Sequence, residues 1–139
     1  MPTLLETAAA LNNLLNIGWA GRTDIAIDNV PYSEVNGQAY IESIFIPYTT
    51  YNVNIGSGID SSCERKRTEG VLQIIVRTPI NEGIGLAYSY SNDISGIMDN
   101  KNPIPNLFTY VTEVRRSGDN KDGWYTLICD VPFVSDEIN

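Results

Sequence analysis

Gly70-Val71-Leu72-Gln73-Ile74-Ile75-Val76-Arg77-Thr78-Pro79, followed after Ile80 by Asn81-Glu82-Gly83-Ile84-Gly85-Leu86-Ala87, reads as a strand that meets a proline, turns and runs into a helix. Leu72, Ile74 and Val76 alternate onto one apolar face, as the two-residue period of a strand requires. Val71, Gln73, Ile75 and Arg77 make the opposite face mixed, so one side meets a core and the other is half covered. Pro79 has no N–H to donate and stops the ladder. The helix is expected from about Glu82 to Met98. Ala87, Tyr90, Ile94 and Ile97 form its inward stripe, with Leu86 and Met98 at the edges and glycines 83 and 85 weakening its first turn. Near the C-terminus, Trp124 to Phe133 supplies a partner strand in which Tyr125, Leu127, Cys129, Val131 and Phe133 share a face. Leu107 to Arg116 completes a hairpin with it. Its loop, Ser117 to Gly123, holds the turn-forming pairs Gly118-Asp119 and Asp122-Gly123.

The upstream half adds a helix and three strands. Thr3 and Glu6 have the spacing of a capping box at the head of a helix running to about Asn16. Leu4, Ala8, Leu11 and Leu15 stripe that helix, and Gly18 stands where a C-terminal cap is expected. Asp24 to Asp28 is a short strand. Tyr40 to Tyr48 is a longer one, rich in isoleucine and aromatics, continued by Tyr51 to Ile55 after a bend at Pro47. Gly56 to Ser62 reads as a flexible arm, extending to about residue 69 and including the basic cluster of Arg65, Lys66 and Arg67. The order predicts an α+β domain spanning 1–139, with two helices packed on a mixed or antiparallel sheet of about four to six strands.

Composition narrows the chemistry. The 139 residues and 42% hydrophobic content suit one domain. The net charge of −8, shared equally by the two halves, argues against gripping duplex phosphates. With no histidine, a Ser–His or Cys–His nucleophile is excluded and most metal sites lose their usual ligand. Cys63 and Cys129 are too few for a zinc site or a disulfide scaffold, and Cys129 in its apolar strand reads as a small core residue. No segment approaches the roughly 20 apolar residues of a membrane span. With no basic leader followed by an apolar run, the expectation is a soluble protein made inside the cell.

Motifs with chemical meaning fail on inspection. Gly83-x-Gly85 at a helix start has Tyr88 where a dinucleotide-binding turn needs its third glycine. Asp119-Asn120-Lys121-Asp122-Gly123 has a lysine in a ligand position of a calcium loop and its glycine one place early, so a hairpin turn fits better. No cofactor is expected. Arg65, Lys66 and Arg67 are either a solvated loop end or a contact to an acidic neighbour, such as another copy of this chain. Tyr32, Tyr48, Tyr51, Trp19 and Trp124 lie at segment edges and fit either core trim or interface anchors.

Taken in order, Gly70 to Val76 with Pro79, Gly83, Gly85 and Ala87, then Gly123-Trp124-Tyr125 leading to Val131-Pro132-Phe133, resemble the tail terminator-like (tail completion) proteins of long-tailed bacteriophages. Ala26-Ile27-Asp28-Asn29-Val30-Pro31-Tyr32 and the strand Ala39 to Ile46 fall where that family has its early strands. The resemblance spans roughly residues 20–134. It implies a non-enzymatic virion protein, made in the host cytoplasm and incorporated into the tail. There it caps the tube as a homo-oligomeric, typically hexameric, ring and touches tail tube protein and the head connector. DNA would pass its lumen without specific binding, for which an acidic or neutral lining is better than a basic one. The arm with Arg65, Lys66 and Arg67, and the hairpin tip with Asp119, Lys121 and Asp122, are the expected contacts. Alternatives are a head–tail connector, a tail tube subunit, or a small intracellular ligand-binding or regulatory module.

Overall fold

The structure, a computed structural model, describes residues 3–35, 37–54, 64–80, 83–117 and 123–138. The fold is α+β. Helix α1 (Leu4–Trp19) is followed by strands β1 (Asp24–Ile27), β2 (Tyr40–Asn54) and β3 (Glu64–Pro79). Helix α2 (Gly85–Met98), the short strands β4 (Leu107–Thr109) and β5 (Glu113–Arg116), and β6 (Trp124–Ile138) complete it. One mixed sheet of six strands runs β1-β2-β3-β6-β4, with β5 also on β6. β1 is parallel to β2, and the other pairings are antiparallel.

Register explains the layering. Ile41 stands opposite Val76 and Val76 opposite Leu127; Ile74 stands opposite Cys129 and Leu72 opposite Val131. These residues therefore share one face, and all are fully buried with Leu11, Leu15 and Trp19 of α1 and Ala87, Ile94 and Met98 of α2. Both helices cover this face alone. Phe45 and Phe133 stack within it, 5.2 Å apart and 15° from parallel. Cys129 is a core residue, and burial followed by the neighbouring Asp130 charge pushes its thiol up to about 12.

The helices begin and end on identifiable groups. The Thr3 hydroxyl accepts from the Glu6 amide at 3.2 Å, giving α1 the side-chain cap that its spacing predicts. Gly18 is not the cap. α1 runs on to Trp19, and Ala20 takes the left-handed cap at φ 52°, its N–H bonded to Asn16 O. Gly18 instead faces α2, where an added Cβ would lie 2.5 Å from Ile97 Cγ2. Leu4 of the expected stripe is about half exposed, while Thr7 and Trp19 are buried in addition to Leu11 and Leu15. α2 starts at Gly85, later than expected, and turns Ala87, Ser91, Ile94 and Met98 inward with Tyr90 and Ile97 partly covered.

Three further expectations change. The arm placed at 56–69 ends sooner, because β3 already begins at Glu64; residues 55–63 lie outside the described ones. β2 passes through Pro47 as one strand, with a register shift between Pro47 and Thr49. The strand expected over Leu107 to Arg116 is broken. β4 pairs with β6 at 133–135 and β5 at 127–130, and Val111 and Thr112 stand out of the ladder between them. Asp99, just past α2, causes the break: one carboxylate oxygen accepts the Thr112 amide at 2.8 Å and the other the Ser95 hydroxyl at 2.7 Å.

Candidate assembly surfaces

The sheet face turned away from the helices carries three arginine–carboxylate pairs set among apolar residues. By the two-residue alternation it carries Glu42 and Ile44 of β2, then Arg67, Val71, Gln73, Ile75 and Arg77 of β3. From β6 come Thr126, Ile128, Asp130, Pro132, Val134 and Asp136, and from β4 and β5 come Phe108, Glu113 and Arg115. Each of three arginines there meets a carboxylate across the strands. Arg77 Nε lies 2.8 Å from Glu42 Oε1, and its Nη1 donates to Thr126 at 3.2 Å. Arg115 Nε lies 3.2 Å from Asp130 Oδ2, while the other Asp130 oxygen accepts from Gln73 at 3.2 Å.

Arg67 makes the tightest of these pairs. Its Nε and Nη2 donate to the two oxygens of Asp136 at 2.8 and 3.1 Å, a bidentate fork on a carboxylate that is 6% exposed. That hydrogen bond holds the Arg67 guanidinium above its ordinary pKa, so the pair stays ionised. Beside it the Tyr51 hydroxyl donates to Glu69 at 2.9 Å, which raises the phenol. At the other end, burial and then the Glu42 charge push Tyr40 up to about 12. Its hydroxyl donates to Glu34, which also accepts from Trp124 Nε1 at 3.1 Å.

The predicted contact residues separate. Arg65, Lys66 and Arg67 are consecutive in β3, opposite Ile138, Glu137 and Asp136. Alternation sends Lys66 to one face and Arg67 to the other, so the cluster is not one patch. Lys66 is exposed, Arg67 is engaged by Asp136, and the Arg65 side chain lies outside the described residues. Asp119, Lys121 and Asp122 also lie outside them. Trp19 and Trp124 belong to the interior: Trp19 meets Tyr90 edge-on at 5.2 Å and Trp124 meets Tyr40 likewise. Tyr32 packs on Tyr40 at 4.9 Å, whereas Tyr48 and Tyr51 are exposed.

The partners missing from the sequence reading are Glu42, Arg77, Arg115, Asp130 and Asp136. Their one local signal was a polar residue at every second position of an otherwise apolar strand, as at Gln73 and Arg77. Among the described residues no three metal-ligating side chains converge, and no helix is long and apolar enough to cross a membrane. The surface clefts include two of mixed lining. One of about 270 Å³ lies against Tyr32, Glu34, Tyr40 and Glu42, and one of about 490 Å³ lies between α1 and β1 against Asn12, Asn13, Asn16 and Asp24.

No family model and no curated protein matches the chain. Among solved structures, one chain superposes with a TM-score of 0.63 at 17% identity, covering 95% of this chain and 93% of the other. At that identity the likeness is one of fold: the whole α+β domain, helices and curled sheet together, is an architecture already seen in a protein of similar length.

Proposed function

We propose that this chain is a structural subunit of a phage virion, a tail terminator that closes the tail tube as a homo-oligomeric ring, most simply a hexamer. It binds tail tube protein on one side and the head connector on the other, and DNA traverses the lumen without being held. The observation that carries this reading is the helix-free sheet face, where Arg67, Arg77 and Arg115 are each neutralised by a carboxylate. Phosphate binding requires cations free to replace counterions. Among the described residues of this face, Arg67 forks onto Asp136 while Arg77 and Arg115 each place one nitrogen on Glu42 and Asp130, so these guanidinium groups have little left to offer a passing backbone, which is what a lumen wall requires. The order of segments between about residues 20 and 134 supports the same assignment.

The deciding experiment is native mass spectrometry across concentration, with and without purified tail tubes. Discrete rings, or monomers that become rings on tube ends, are expected. Open-ended polymers would make the chain a tube subunit, and a monomer or dimer indifferent to tubes would overturn the assignment.

A further inference from the structure

The two lateral edges of the sheet differ in kind. On one side β1 covers β2 only from Tyr40 to Ser43, where the Asp28 amide closes the contact on Ser43 O at 2.9 Å. Beyond it, Ile44 to Asn54 has no strand neighbour on that side among the described residues. On the other side the β4 backbone is already occupied, since the Thr109 amide donates to Lys101 O at 2.9 Å and the Asn100 amide to Tyr110 O at 3.4 Å. What this edge offers is side chains: Phe108, Tyr110 and Val111 are 45%, 48% and 59% exposed.

Open sheet edges in native proteins are normally guarded by charge. Neither of these is. No charged residue occurs between Glu42 and Asp60, nor between Lys101 and Glu113, in a chain where charged residues make up 19%. Pro47 and the register shift beside it interrupt the β2 edge without making it repulsive. The absence of charge identifies the occupant. A basic partner would be drawn to the carboxylates that dominate a surface of net charge −8. A second copy, itself at −8, is repelled by that surface and meets less repulsion where both contributing stretches are themselves uncharged. The ledge is also held in shape before any partner arrives. Asp99 fixes the Thr112 amide, Tyr110 N–H bonds Pro132 O at 3.0 Å, and the Thr109 hydroxyl donates to Met98 O. Little ordering is then lost on docking.

We propose that the β2 edge of one copy, around Tyr48 to Asn52, docks on the Phe108–Val111 ledge of the next copy. The two surfaces lie on opposite sides of β3 and β6, so the contact is heterologous: each copy keeps one surface free for a further neighbour until the chain of contacts closes. This rests on the ring reading above and gives it a subunit interface.

The test places single cysteines, in a Cys63→Ser background, at Tyr48 and at Val111, and adds a short bis-maleimide. Cys129 is buried and stays silent. Mixing the two variants should give covalent dimers that neither gives alone, and a chain carrying both cysteines should give a ladder ending at one discrete size. Cross-linking of either variant with itself, or no cross-link in a mixture that native mass spectrometry shows to be oligomeric, overturns the interface and leaves the ring reading standing. Monomers throughout, with tail tubes present or absent, overturn both. As a second readout, Tyr110→Lys/Val111→Lys should abolish the oligomer while keeping a wild-type circular dichroism spectrum and melt. Retention of the oligomer by that folded variant also refutes the interface.

Discussion

Gly70→Ala tests the packing argument where the general expectation and the local geometry point in opposite directions. Replacing a strand glycine by alanine ordinarily stabilises a protein by about 0.4–1 kcal/mol, chiefly by restricting the unfolded chain. At Gly70 the new methyl would sit 2.5 Å from Ile46 O, 2.8 Å from Pro47 Cα and 2.8 Å from Phe133 Cζ. The first two are backbone atoms of β2 at its register shift, held by the pairing of Ile46 with Val71 and of Pro47 with Gly70. The third belongs to a ring stacked on Phe45. Relief therefore needs movement of β2 itself, and overpacking of that kind costs about 1–3 kcal/mol. The net expectation is a loss of about 1–2 kcal/mol. In urea unfolding, with a slope of about 2 kcal/mol/M, the midpoint should fall by roughly 0.5–1 M with the slope unchanged. Phe133→Leu should not rescue the variant, because the backbone contacts persist without the ring. A midpoint equal to or above wild type would refute the reasoning.

Gly18→Ala is the contrasting case: its clash is with the Ile97 side-chain methyls at 2.5 and 2.9 Å, so it should destabilise alone yet gain about 1 kcal/mol of helix propensity in an Ile97→Ala background. A double-mutant cycle by urea melts reads that reversal of sign. For Asp99, burial raises the pKa, but hydrogen bonds from Thr112 and Ser95 outweigh it and hold the carboxyl below 3.8. Its contribution is thus complete above pH 3.8 and lost as pH falls through the folded value, so Asp99→Asn should flatten the acid limb of a Tm–pH profile. The Cys129 thiol titrates near 9.0 unfolded and at about 12 folded; stability should fall as pH rises through that window, because the unfolded chain releases its proton first. In Cys63→Ser protein, a thiol reagent at pH 8 should modify Cys129 only in denaturant, and rapid native labelling would contradict its burial.

The core was legible because burial on a sheet follows the sequence period. Leu72, Ile74 and Val76, with Leu127, Cys129, Val131 and Phe133, are interior residues for the same reason that they alternate. What was illegible depends on groups far away in the chain. Nothing local says that Leu107 to Arg116 must break, since the break is made by Asp99 reaching the Thr112 amide. Gly18 resembled a cap because glycine is the commonest residue there. Its actual role, lack of a side chain against Ile97, needs the second helix in place, and Ala20 carries the left-handed turn instead.

The basic cluster shows the same limit at the candidate site. Arg65, Lys66 and Arg67 follow a glycine- and serine-rich stretch, so the sequence places them at a loop end, free to meet an acidic neighbour. In the strand, the partner of Arg67 is Asp136, sixty-nine residues on, and its fork is already filled. Truncating Asp136 would break a charge-assisted hydrogen bond worth about 1.5–3 kcal/mol and expose a cation on the helix-free face. Two effects should therefore appear together in Asp136→Ala, lower stability and gained affinity for DNA, the second disappearing as salt rises. Lys66→Ala, which removes an exposed charge from the opposite face, should produce neither. If Asp136→Ala loses stability but still ignores DNA, arginine pairing is not what keeps this face from gripping phosphate, and the lumen assignment loses its physical support.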